Sequence, residues 1–209
     1  ERLNHAGIKK LMAIHRGFSS YKKTAYRNIP NWQIPIELRR RIKNIPLICD
    51  PSHICGNVIM LQKVSQEAMD LLYDGLMVEV HYNPKEALSD AKQQIIPNEY
   101  GKLIENLRIK HPDIEIEEYH QHVSLLRKEI DEIDKEIITS LSKRITLSNE
   151  IGKYKKMGDI STFQPNRWNE ILRNRIKFAE KNNLDKDFII RLYQLIHEES
   201  IRNQGIELG

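Results

Sequence analysis

Two sets of side chains in this sequence have the types and spacing to do chemistry, and they differ in sign of charge. The first is His53, Glu79 and Asp90. An imidazole and two carboxylates brought together where strands end form a donor set for a hard or borderline divalent ion. They also read as ordinary polar loop residues, and spacing alone leaves both readings open. The second set is Arg127, Arg144, Lys155 and Arg167 with Ser200 and Gln204. Cations with a neutral amide, and no His, Cys or paired carboxylates, make a poor acid/base or nucleophile kit. They make a good kit for holding a small dianion and stabilising a shift of charge within it. Any one of these arginines taken alone reads first as a solvated surface cation of a helical dimer.

The elements that must position the first set alternate in type. Leu11 to Ile14 reads as a buried strand, Ile36 to Ile42 as a helix, Pro46 to Cys49 as a strand, Val64 to Leu72 as a helix and Gly75 to Val80 as a third strand. Strands without polar alternation are covered on both faces, which predicts a parallel sheet in an α/β layer or barrel. Each strand ends in polar residues: His15-Arg16-Gly17, then Asp50-Pro51-Ser52-His53, then Glu79-Val80-His81, with Ser89-Asp90 in the loop beyond. In a (β/α)8 barrel the C-terminal strand ends carry the active site, so convergence of His53, Glu79 and Asp90 is geometrically reasonable.

The second set lies on helices. After Pro112 and the acidic stretch Asp113 to Glu118, apolar residues including Leu126, Ile130, Ile133, Ile137, Leu141 and Ile145 recur mostly every three or four positions. A helix from Leu125 to Met157 would run about 50 Å, longer than a domain of this size is wide, so another chain must cover part of its stripe. Pro165 opens a second helix reaching about Lys181, and Asp185 caps a third from Lys186 to Asn203. Ser200 and Gln204 are one turn apart and share a face.

Composition narrows the partners. Lys and Arg total 33 against 29 Asp and Glu, and each half of the chain is near neutral. The one basic cluster, Arg39, Arg40, Arg41 and Lys43, sits in a helical pattern and reads as a solvated face, so no nucleic-acid partner is expected. Apolar runs are only a few residues long, far below the roughly 20 that a membrane span needs. Two cysteines, Cys49 and Cys55, do not make a disulfide framework, and a reducing cytoplasm is the expected location. The chain begins with Glu, and we expect it to be cut from something longer.

Both halves resemble known families. Asp50-Pro51-Ser52-His53, Asp74 through His81 and Ala87 through Gln94 resemble the final portion of 3-deoxy-7-phosphoheptulonate (DAHP) synthase, over about residues 8 to 110. The resemblance implies that His53, Glu79 and Asp90 ligate a divalent metal, and that Arg16 and Arg27 contact phosphoenolpyruvate or sugar phosphate. That family's eight-stranded barrel takes about 250 residues, and only its last three strands fit here. Its fourth ligand, a cysteine, comes from an early strand. Cys55 reads as a packing residue rather than a substitute.

Leu126 through Asp134, Ser142-Lys143-Arg144, Ile151 through Lys155, Arg167 and Glu199 through Gln204 resemble the all-helical, AroQ-type chorismate mutases over residues 122 to 205. The resemblance implies an intertwined three-helix homodimer, joined through the long helix, that rearranges chorismate to prephenate without a cofactor. It implies that Arg144, and Arg127 from the partner chain, hold two carboxylates, and that Lys155 and Gln204 bond the ether oxygen. Arg167 and Ser200 would support carboxylate binding, with Gln164 near the substrate hydroxyl. The family commonly has acids at the positions of Gln164 and Trp168; a Gln still bonds a hydroxyl, and Trp168 reads as packing.

The combined expectation is an α/β remnant, the last three β/α units of a TIM-type barrel over residues 1–112. A linker at 113–121 then leads to an all-α mutase domain at 122–209. A divalent metal is expected for a complete synthase barrel and none for the mutase, and synthase activity only in a longer chain. The alternative is a non-catalytic dimerisation and ligand-sensing helical module that regulates a synthase.

Overall fold

The computed structural model describes residues 2–21, 24–110 and 116–204. The chain divides into two compact units, 1–115 and 116–209.

The first unit opens with a short helix α1 (Arg2–His5), then alternates β1 (Ala13–His15), α2 (Gln33–Arg41), β2 (Leu47–Cys49), α3 (Pro51–Cys55), α4 (Leu61–Asp70) and β3 (Gly75–Leu76), and closes with α5 (Pro97–Glu105). The strands form one parallel sheet in the order β1-β2-β3, with Ile14 opposite Ile48 and Ile48 opposite Gly75. Leu47, Cys49, Ile54, Cys55, Val64 and Ala68 are all at most 2% exposed and form the core between sheet and helices. Burial pushes the Cys55 thiol up to about 12, with Glu67 adding to the shift, and pushes Cys49 up as well. Cys55 is therefore a packing thiol.

Three features differ from the sequence reading. The third strand, expected over 75–80, keeps ladder pairing only at Gly75–Leu76. Beyond Met77, whose N–H still donates to the Cys49 carbonyl, β2 turns into α3, and the Glu79 N–H donates to the Ser52 hydroxyl instead. Val80 then makes an isolated parallel bridge to Ile95. Second, Asp50-Pro51-Ser52-His53 is not a loop: Asp50 N-caps α3, accepting from the His53 N–H at 3.0 Å, and Pro51 takes the first helical position. Third, the stretch expected as linker at 113–121 is helical from Glu117. Acidic residues at a helix N-terminus are favoured by its dipole, so the charges that suggested a linker suit the first turn. Residues 113–115 lie outside the described residues.

The second unit is three helices: α6 (Glu117–Met157), α7 (Pro165–Lys181) and α8 (Lys186–Asn203). The 41 residues of α6 span about 60 Å. Asp185 caps α8 by accepting from the Phe188 N–H at 2.7 Å. Ile189, Ser200 and Ile201 of α8 and Ala179 of α7 are buried. In this single chain Leu126, Ile130, Ile133 and Ile137 of α6 remain 47 to 55% exposed. Among the described residues no helix is long and apolar enough to cross a membrane.

Candidate functional sites

In the first unit, His53, Glu79 and Asp90 come together, each with one ligand atom within 4.8 Å of the other two. The imidazole Nε2 lies 3.6 Å from Glu79 Oε1 and 4.0 Å from Asp90 Oδ2. Donors about 2.1 Å from a common ion are about 3 to 4 Å from one another, so the set fits a divalent cation. The other ring nitrogen, Nδ1, lies 2.8 Å from Asp50 Oδ2, deep in the fold, where Asp50 is wholly buried. The two atoms meet as a close charge contact without hydrogen-bond alignment, and a carboxylate behind a histidine leaves Nε2 as the nitrogen open to a metal.

Gln93, 1% exposed, ties the acids together. Its amide donates to Glu79 Oε2 at 2.7 Å, and its carbonyl oxygen accepts from Arg27 at 2.9 Å. Arg27 also donates to Asp90 at 3.0 Å. Gly56 makes this possible: its φ of +67° ends α3, and a Cβ there would stand 2.6 Å from Arg27 Cβ. Arg16 reaches Asp50 at 3.4 Å with its side chain half exposed. Sequence reasoning missed Asp50 and Gln93. The Asp-Pro pair signalled a helix start that would have turned the Asp50 side chain back over His53.

In the second unit the three helices enclose a cavity of about 500 Å³. From α6 come Arg144, Ser148, Ile151 and Lys155; the start of α7 supplies Gln164, Arg167 and Trp168; α8 supplies His197, Ser200 and Gln204. The spacings of three, four and seven put each group on one helix face. Arg144 donates to the Ser200 hydroxyl at 2.8 Å, which in turn donates to the Ile196 carbonyl. Lys155 donates to the Thr162 carbonyl at 2.6 Å. Gln204 donates to Ser148 Oγ at 3.1 Å and keeps its buried Oε1 without a partner. Gly152 clears its place, since a Cβ would sit 2.7 Å from Gln204 Cγ. Arg167 pairs with Glu170 on the helix surface at 2.7 Å.

Arg127 lies roughly 25 Å along α6 from Arg144 and is not in this chain's cavity. Arg175, Tyr193 and His197 also line that cavity, residues to which the sequence reading gave no role. Burial, then the positive field of Arg144 and Lys155, holds His197 below the ordinary imidazole value. Burial also lowers the Arg144 guanidinium from its usual value. The i, i+4 and i, i+3 relation of Tyr193, His197 and Ser200 could have placed the first two on the cavity face.

A parallel β/α segment with donors at its strand ends and a three-helix unit around a cationic cavity are two separate kinds of enzyme architecture in one chain. The DAHP synthetase I family model matches residues 1–113, and the model for type II chorismate mutase matches residues 126–205. Over 108 residues the chain is 28% identical to a phospho-2-dehydro-3-deoxyheptonate aldolase of Thermotoga maritima, covering 52% of this chain and 31% of that one. Over 84 residues it is 30% identical to a 4-amino-4-deoxychorismate mutase of Streptomyces venezuelae, covering 40% of this chain and 82% of the relative. A solved structure, a truncated 3-deoxy-D-arabino-heptulosonate 7-phosphate synthase from Thermotoga maritima, is 29% identical with a TM-score of 0.45, over 49% of this chain and 38% of that one. The chain belongs to the DAHP synthetase I family through its first unit and to the type II chorismate mutases through its second. It spans about a third of the length of the Thermotoga relative.

Proposed function

We propose that the second unit is a chorismate mutase, converting chorismate to prephenate, and that the first is the metal-bearing end of a DAHP synthase barrel. The observation that carries the mutase reading is the cavity. It gathers Arg144, Lys155, Gln164, Arg167, Ser200 and Gln204 from three helices, and among the described residues no carboxylate lines it.

The substrate is a dianion that must fold from an extended to a chair-like shape. Two fixed carboxylate anchors supply that orientation. Arg144, held by Ser200, is one anchor, and Arg167 supports it. Arg127 of a second chain is the other, so the working unit is a homodimer joined through α6. The half-exposed stripe of Leu126, Ile130, Ile133 and Ile137 supports that pairing. As the ether C–O bond lengthens, charge grows on oxygen. Lys155 and the Gln204 amide are aimed there, exchanging the Thr162 and Ser148 contacts they make in the free chain. Gln164 and His197 are left for the ring hydroxyl. No cofactor takes part.

In the first unit His53, Glu79 and Asp90 would hold a divalent ion, which polarises a substrate carbonyl when bound. Arg27 and Arg16 would meet phosphate groups at its edge. Synthase turnover needs the remaining strands of a complete barrel, and so belongs to a longer chain.

The test is an ultraviolet assay of chorismate loss by the purified 209-residue protein. Conversion to prephenate supports the mutase; binding without conversion favours a ligand-sensing helical module.

A further inference from the structure

The charge balance of the mutase cavity points to what it will accept, an inference that rests on the mutase reading above. Four cations line it, Arg144, Lys155, Arg167 and Arg175, and among the described residues no carboxylate does. Glu170 pairs with Arg167 but is not part of the lining. The two carboxylates of a dianion match this positive field. Any further polar substituent must be met by the neutral part of the wall, where His197 stands.

That imidazole is held on two sides. It stacks on the Trp168 indole, with centroids 4.0 Å apart and planes at 25°, and meets the Phe163 ring edge-on at 5.8 Å. Its place on α8, one turn after Tyr193 and one turn before Ser200, turns it to the cavity. The charged and titratable groups lining the cavity with it are Arg144 and Lys155 on α6, Arg167 and Arg175 on α7, and Tyr193 on its own helix. Burial and the first two of these keep the ring uncharged at neutral pH. A neutral imidazole offers one N–H and one lone pair, which suits a hydroxyl as donor or acceptor. An alkylamine is protonated at neutral pH. Placed among these cations it would be a buried charge without a counter-charge.

We propose that this cavity selects a cyclic dicarboxylate whose remaining ring substituent is an uncharged hydroxyl and rejects the same molecule bearing an amine, with His197 the specificity-determining residue that meets that substituent.

The experiment compares chorismate with 4-amino-4-deoxychorismate on the full 209-residue chain, in turnover and in binding by calorimetry. Chorismate should be favoured by at least about tenfold in both. His197→Leu, which keeps an apolar contact to Trp168, should lower kcat/KM for chorismate about tenfold and barely change the amine, so the ratio narrows. A merely structural role would lower both alike. Gln164→Glu, adding a carboxylate to the lining, should raise relative use of the amine at least about tenfold and serves if the first variant does not fold. Conversion of both compounds with equal kcat/KM overturns this inference and leaves the mutase reading standing. An unchanged ratio in His197→Leu removes the role of His197. Preferential binding of chorismate without conversion defeats the mutase reading and upholds the selectivity. Binding of neither compound defeats both.

Discussion

In the first unit, carboxylates gather around one imidazole at the ends of parallel strands; in the second, cations gather on the faces of three helices. The two sites solve the problem of like charge differently. Glu79 and Asp90 are kept close to each other by neutral or positive neighbours, Gln93 and Arg27, which accept the cost of proximity until a cation occupies the middle. Among the described residues Arg144 and Lys155 have no acid between them and rest on a hydroxyl and a carbonyl. Each cluster carries a charge that an oppositely charged ligand would balance, and each uses a glycine, Gly56 or Gly152, to admit one of its own side chains. Positioning groups hidden beneath the ligand-facing ones do similar work in both.

The sharpest way to separate the two is Lys155→Ala. On the proposed mutase reading it removes the charged donor to the ether oxygen, and turnover should fall by about 10² to 10³. Metal binding by the first unit, followed with Co²⁺ absorbance, should not move. A variant keeping more than half its turnover would take Lys155 out of the reaction.

The reciprocal change is Asp50→Asn. Losing the carboxylate behind His53 should weaken divalent-ion affinity by about 10 to 100-fold, read by titration calorimetry. Chorismate turnover should be unaffected, as it should by a chelator. Loss of mutase activity in either experiment would mean the sites are not independent.

A smaller effect tests whether the second site is shared between chains. Arg127→Ala and Lys155→Ala should each be nearly inactive alone. Refolding an equal mixture makes about half the dimers mixed, and one site in each is intact, so about a quarter of full activity should return. Mixed dimers without recovery would place Arg127 at its own chain's cavity.

The smallest effects concern pH. The neutral amide of Gln204 cannot titrate, so turnover should vary little from pH 6 to 8. Stability behaves differently. His15, lowered by burial against a weaker opposing bond to the Pro30 carbonyl, and His197 both protonate more readily when unfolded. Their contribution is therefore present above about pH 6.5 and is lost as pH falls through that value toward their lowered native values. Thermal midpoints of both units should drop modestly between pH 7 and 5. A midpoint that rises on acidification would contradict the buried, neutral state of these rings.

Helices α7 and α8 were legible to the residue, because Pro165 and Asp185 are local signals that act through backbone geometry. Strand β3 was legible in place but not in length, since its end is set by β2 turning into α3, a tertiary event. The cluster of His53, Glu79 and Asp90 could be named from residue types and strand-end positions. Asp50 had a local helix-start signal in the Asp-Pro pair, whereas Gln93 could not be named, because its contact to Glu79 spans 14 residues of chain that only folding brings into register. In the second unit the cavity-lining cations Arg144, Lys155 and Arg167 followed from resemblance and helical period. His197 shares a helix face with Tyr193 and Ser200, but its stacking on Trp168 depends on how α7 meets α8, which spacing within one helix does not give.

The two buried thiols of the first unit have a use beyond packing. Cys49 and Cys55 are almost wholly shielded, and their raised ionisation leaves almost no thiolate at neutral pH. A thiol-alkylating reagent should therefore react only when the β2–α3 region opens. Since the second unit has no cysteine, labelling rate becomes a chronometer for opening of the barrel segment alone, legible in the intact chain while the helical unit stays silent.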